Sequence, residues 1–174
     1  MALHVAFLRA INVGGRVVKM DALRAHVEAC GLKDVETFIA SGNVIFESRA
    51  GAGALETKIE TALGAKLGYE VATFVRSIPE LEAVSELASK EGGGTGNVYV
   101  AFLKAAPVTA VRKSVEALAG PGDRFRFAGR EFYWLRDGGF SDSQFSNAIF
   151  ERAIKAPATF RNITTVRKIA AKYA

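Results

Sequence analysis

Apolar positions in this chain fall into short blocks whose spacing changes along its length. Val5-Ala6-Phe7-Leu8 is a brief apolar run, the pattern of a buried strand. Met20, Leu23, Val27 and Cys30 then recur at helical spacing, with Asp21 in the first turn and Gly31 where a helix end favours a left-handed residue. Residues 35–39 and 44–46 are β-rich runs around Ser41-Gly42-Asn43, which reads as a hairpin with those three at its tip. Leu55, Ile59, Leu63 and Leu67 predict a second helix stopped by Gly68, and residues 71–75 another strand. The order β-α-β-β-α-β is the ferredoxin-like split arrangement.

Ser77 and Glu80 make a capping-box pattern ahead of a helix through Leu81, Val84 and Leu87. The glycine-rich stretch 92–96 reads as a flexible linker. Beyond it the pattern restarts. Val100-Ala101-Phe102-Leu103-Lys104-Ala105 echoes Val5-Ala6-Phe7-Leu8-Arg9-Ala10, and Val108, Val111, Val115 and Leu118 repeat the helical offsets. Phe125 and Phe127, a Gly129-Arg130 turn and Phe132-Tyr133-Trp134-Leu135 make a second hairpin. Ser141 with Gln144 predicts a capping box opening a helix through Phe145, Ile149 and Ala153. No final strand is evident, and the half closes in a helix over 163–173. The predicted fold is α+β: two tandem ferredoxin-like (split β-α-β) halves with a C-terminal helix, divided as 1–76, a helix and linker over 77–96, and 97–174.

Matching the halves isolates a departure. Val5 and Met20 are fifteen positions apart, but Val100 and Val108 only eight, so the first half carries seven extra residues within 11–19. A loop longer than its fold requires is a functional candidate. Gly14-Gly15 lets successive N–H groups converge, the helix N-terminus that follows favours negative charge, and Arg9, Arg16 and Lys19 add cationic donors, with Asn12 in the same stretch. Ser41 and Asn43 would present a hydroxyl and an amide beside it. Arg161, Asn162, Thr165 and Lys168 are a second anion-facing candidate cluster. Each feature has a plain structural alternative: a glycine turn, ordinary hairpin chemistry, and an N-cap supplied by Asn162.

Charge supports the anionic reading. Of the net +5, residues 1–90 carry −1 (10 Lys/Arg, 11 Asp/Glu) and residues 91–174 carry +6 (13 and 7). That asymmetry favours an anionic partner, or simply a solvated basic surface. No apolar run approaches the ~20 residues of a membrane span. The N-terminus lacks a signal-peptide pattern, and the single Cys30 forms no intrachain disulfide, so a cytoplasmic location is expected. With one Cys and two His there is no dedicated zinc set, and neither a Walker A nor a dinucleotide fingerprint is present, so no metal or cofactor is expected. Cys30 is expected as a buried inert thiol, and His4 and His26 in structural or surface roles. Phe132-Tyr133-Trp134 could stack bases, although strand aromatics more often enter a core.

The stretch Phe7-Leu8-Arg9-Ala10-Ile11-Asn12-Val13-Gly14-Gly15, with Lys19-Met20, Leu23 and Ser41-Gly42-Asn43-Val44, resembles the bacterial family known as domain of unknown function 1697. Pro157-Ala158-Thr159, Arg161-Asn162 and Thr165-Val166 look like that family's closing motif. An aromatic commonly follows its Arg-Asn pair, where this chain has Ile163. The resemblance implies a two-part α+β fold and brings no activity.

The preferred reading is a protein that binds a phosphate-bearing or other anionic ligand, a nucleotide or nucleic acid, at the loop 12–19, with charge from Arg9, Lys19, Arg161 and Lys168. One alternative is an enzyme acting on a small anionic substrate, with Arg9 and Lys19 as electrostatic stabilisers. Another is a protein-interaction module.

Overall fold

The computed structural model describes residues 1–92 and 97–174, with side chains at all of these except Ala40 and Ser41. Residues 93–96 of the expected linker lie outside the described residues. The chain divides into two compact units, Met1–Leu81 with Ala171–Ala174, and Glu82–Ala170.

In the first unit β1 (Ala2–Leu8), α1 (Met20–Ala29), β2 (Lys33–Phe38), β3 (Ala40–Ser48), α2 (Ala52–Leu67) and β4 (Thr73–Ser77) follow in order, and α3 (Ile78–Lys90) begins at its end. The sheet runs β2-β3-β1-β4 and is antiparallel throughout. Central β1 is buried from Val5 to Leu8, which is why it reads as an unbroken apolar run. Leu23 and Val27 of α1 and Leu55, Ile59 and Leu63 of α2 pack with Ala6, Leu8, Val44, Phe46 and Val75 into one core. Gly31 (φ 91°) and Gly68 (φ 78°) end α1 and α2 in the left-handed conformation, as their positions predict. The capping box of α3 forms: Glu80 N donates to Ser77 Oγ (3.3 Å) and Ser77 N to Glu80 Oε2 (2.7 Å).

The hairpin turns earlier than expected. Ile39, at φ 69°, reverses the chain, so Phe38 faces Ala40 and Ser41-Gly42-Asn43 lies within β3 instead of at a tip. Thr37 pairs with Val44, a register shift that places those three residues in a bulge, while Asn43 pairs with Phe7 of β1. Buried Asn43 donates through Nδ2 to Phe38 O (3.2 Å), tying the bulge to the end of β2.

The second unit contains β5 (Val98–Phe102), α4 (Thr109–Glu116), β6 (Asp123–Ala128), β7 (Glu131–Arg136), α5 (Asn147–Ile154), β8 (Thr159–Asn162) and most of α6 (Ile163–Tyr173). Its sheet runs β6-β7-β5-β8. Three expectations change. A final strand exists: β8 pairs with β5, but Thr-Phe-Arg-Asn is too short and mixed to signal a strand by periodicity. Ser141 sits in a 3-10 turn (Phe140–Asp142), and Ser146 caps α5 instead, its Oγ accepting from Ile149 N (3.3 Å). Val108 is extended (ψ 159°) and caps α4 without entering it, so the connections are eleven residues (9–19) against six (103–108). The excess is five residues rather than seven.

Phe132 centres this unit's core, with ring centroids 4.5 Å from Phe150, 4.8 Å from Phe127 and 5.1 Å from Phe125. Phe132, Tyr133 and Trp134 are 0%, 2% and 6% exposed, so they form no base-stacking platform. Beside them the buried Asp123 carboxylate ties three segments together. Oδ1 accepts from Trp134 Nε1 (2.9 Å) and Arg136 Nη1 (2.7 Å), and Oδ2 from Gly120 N (3.1 Å) and Ser143 Oγ (2.8 Å). Burial alone raises its pKa, but the four hydrogen bonds outweigh that, so Asp123 titrates below its ordinary value.

The outer edge of each sheet is sealed by side chains. Val75 N donates to Glu56 Oε1 (3.0 Å) and Thr73 N to Glu60 Oε2 (3.3 Å), both carboxylates coming from α2. Fully buried Arg76 donates to Val75 O (2.9 Å) and lies 3.9 Å from Glu56. In the second unit Ala158 N donates to Glu151 Oε1 of α5 (3.1 Å) and Arg161 Nη1 to Phe160 O (2.9 Å). Among the described residues no helix is long and apolar enough to cross a membrane.

Phe132→Ala is expected to cost about 3–5 kcal/mol, read as a lower urea midpoint; a loss below ~1 kcal/mol would contradict the ring cluster's role. A carboxylate whose folded pKa is depressed stabilises the fold above its unfolded pKa and loses that contribution as pH falls through the folded value. Stability should therefore drop below about pH 3.8, and Asp123→Asn should show a shallower acid slope. Equal slopes in thermal melts would rule out Asp123 as a source.

Candidate functional site

The connection between β1 and α1 is pinned at both feet. Arg9 N donates to Ala72 O (2.9 Å), and Ile11 and Val18 enter the first core. Asn12 Oδ1 accepts from Val18 N, closing the loop across its base. Between the feet the backbone is left-handed at Ala10 (φ 53°), Asn12 (φ 58°), Gly14 (φ 63°) and Gly15 (φ 81°). Ala and Asn at positive φ are held there against a steric cost, and such positions cluster at functional sites. Among the described residues nothing lies within 4 Å of where a Cβ on Gly14 or Gly15 would sit, so both glycines border open space. Lys19 is the N-cap of α1 and makes no side-chain cap bond.

Arg9 is half-buried, whereas Asn12, Gly14, Gly15 and Lys19 are exposed. The Arg16 guanidinium stacks 4.1 Å above the Tyr69 ring. Sequence reading missed Tyr69, whose hydroxyl is buried without a hydrogen-bond partner among the described residues. A single aromatic just after the Gly68 stop carries no pattern to flag it. Val13 and Val17, 58% and 80% exposed, flank the glycines. The Ser41 side chain lies outside the described ones, and Asn43 is spent on its bulge.

Arg161, Asn162, Thr165 and Lys168 belong to the second unit. Arg161 is half-buried and donates to Thr159 Oγ1 (2.7 Å) as well as to Phe160 O. Burial pushes its pKa down to about 10, which leaves it a cation at neutral pH. Asn162 caps α6, its Oδ1 accepting from Thr164 N (2.8 Å). Thr165 is half-buried and Lys168 exposed. His4 is buried against Phe46, with Nδ1 3.0 Å from Ala2 O. Cys30 is half-buried at the end of α1, less enclosed than its place on the apolar face implied, and its Sγ donates to Val27 O (2.9 Å). No group of three or more His, Cys, Asp or Glu suited to a metal ion occurs among the described residues.

Two antiparallel four-stranded sheets carrying six helices, with a strained glycine loop after the first strand, define a mixed α and β protein class. The chain belongs to the family described as protein of unknown function (DUF1697), whose model matches residues 1–133. That match contains the loop and ends before the 157–166 stretch. The chain is also similar to the conserved bacterial protein SP0830 from Streptococcus pneumoniae: 25% identity, 99% of this chain and 98% of that chain covered, TM-score 0.78. No curated protein matches.

Asn12→Ala should remove the acceptor for Val18 N and cost about 1–3 kcal/mol in chemical denaturation, while Asn12→Asp should retain most of the stability. Equal midpoints for all three proteins would show that the loop base is not closed by this bond.

Proposed function

We propose that loop 9–19 binds an anionic, phosphate-bearing ligand. The observation that carries the reading is the set of left-handed residues Ala10, Asn12, Gly14 and Gly15 ahead of a helix whose N-cap makes no side-chain bond. Alternating backbone conformations of this kind turn N–H groups toward a shared concavity, and a helix N-terminus adds positive potential. Arg16 follows the glycines directly, Lys19 is the N-cap of α1, and Arg9 at the loop's foot adds a third cation. In this reading Arg161, Asn162, Thr165 and Lys168 form a separate anion-facing cluster on the second unit. The local backbone bonds that Arg161 and Asn162 already make leave that cluster the weaker half of the proposal.

We also infer that the two units are duplicated ferredoxin-like halves joined near residues 77–96. The equivalent strand orders support this. So does the pairing register, in which Arg76 stands opposite Val5 and Arg161 opposite Val100, each arginine donating to the carbonyl just before it.

Calorimetric titration with pyrophosphate, ATP and a single-stranded oligonucleotide tests the site. Arg16→Ala with Lys19→Ala should weaken binding at least about tenfold, a loss of ~1.4 kcal/mol, without altering the circular dichroism spectrum. If the oligonucleotide binds, its affinity should fall steeply with salt as counterions are released. A flat salt response would exclude nucleic acid, and no binding of any of the three probes at low salt would end the proposal.

A further inference from the structure

The second unit has a cavity of about 370 Å³ whose lining includes Leu118, Pro121, Arg136, Asp142, Gln144 and Phe145. That is enough space for a small metabolite, at the lower end of ligand-site volumes. The Arg136 side chain is only 10% exposed. Its Nε donates to Gly139 O (2.8 Å), and its Nη1 donates to Asp123 Oδ1 (2.7 Å) and Pro121 O (3.2 Å). A guanidinium has five N–H donors, so the two on Nη2 remain, and they have no hydrogen-bond partner among the described residues. Nη2 is not among the side-chain atoms buried without a partner, so it reaches solvent, where a ligand's acceptor can replace water.

Charge decides what that acceptor belongs to. Asp123 already neutralises Arg136, and it also lines the cavity. Asp142 adds a second carboxylate with no ion-pair or hydrogen-bond partner for its side chain among the described residues. The two aspartates and one arginine leave a net charge of −1, which repels a simple anion. A ligand carrying both signs fits: an oxyanion on Nη2 of Arg136 and an ammonium on Asp142. The Gln144 side chain, exposed and without a hydrogen-bond partner among the described residues, can serve either end. Leu118, Pro121 and Phe145 supply apolar wall for a short side chain.

We propose that this cavity binds a small zwitterion of the α-amino-acid type. The site is separate from loop 9–19 and does not depend on its ligand.

Amide chemical-shift mapping on the intact chain tests this, with each common L-amino acid as probe and acetate and methylammonium as single-charge fragments. At least one amino acid should shift the amides of 118–122 and 139–145, and bind at least about tenfold more tightly than either fragment. Asp142→Asn, at an exposed position, should lose about tenfold in affinity with the rest of the spectrum unchanged. Gln144→Ala should weaken binding in the same direction. Any one of three results overturns the proposal: no shift of these amides with any amino acid at millimolar concentration, acetate binding as tightly as the amino acids, or an Asp142→Asn protein that binds them unchanged.

Discussion

An edge strand in a covered sheet exposes a row of N–H and C=O groups that neither a neighbouring strand nor water can satisfy. β4 meets this constraint with Glu56 and Glu60, four residues apart on α2, which receive N–H groups two residues apart on the strand. The geometry matches because four helical residues rise ~6 Å and two strand residues ~6.6 Å. Helix and strand are thereby locked in direction and register. Everything inward of β4 inherits that alignment, including β1 and the loop foot where Arg9 bonds Ala72. In the second unit Glu151 of α5 likewise accepts from Ala158 N, just ahead of β8, and Arg161 donates to Phe160 O as Arg76 does to Val75 O.

The same economy governs several polar groups whose residue types suggest ligand contacts. Asn43, Asn162 and Arg161 each satisfy a backbone group within five residues along the chain. The loop 9–19 differs, because its feet are paired while Gly14 and Gly15 face open space. The Asp123 hub differs in another way: it saturates the carboxylate but leaves part of Arg136 unspent.

Most elements were legible because their signals are local. α2 announced itself through Leu55, Ile59, Leu63 and Gly68, and the α3 cap through Ser77 and Glu80. The loop was visible because length and paired glycines are also local properties. The failures have tertiary causes. The hairpin turn moved to Ile39 because Asn43 is committed to pairing with β1. The α5 start moved to Ser146, beyond a segment that Asp123 holds through Ser143. β8 became a strand only by pairing with β5 across more than fifty residues. Arg76, Tyr69 and Arg136 carry no periodicity, and their importance lies in partners far along the chain.

The end of α6 bears on how the protein is made. Residues 171–174 belong to the first unit, where Lys172 bonds Glu36 of β2 (3.3 Å), its Nζ lies 4.4 Å over the Phe38 ring, and the Tyr173 hydroxyl bonds Glu36 from 137 positions away. A ribosome extends the chain from its N-terminus at ~5–20 residues per second. The sheet that emerges first therefore waits several seconds for the segment that covers its β2 side. A nascent chain stalled before residue 172 lacks every one of these contacts to Glu36 and Phe38, so the last few residues made complete the side of the sheet made first.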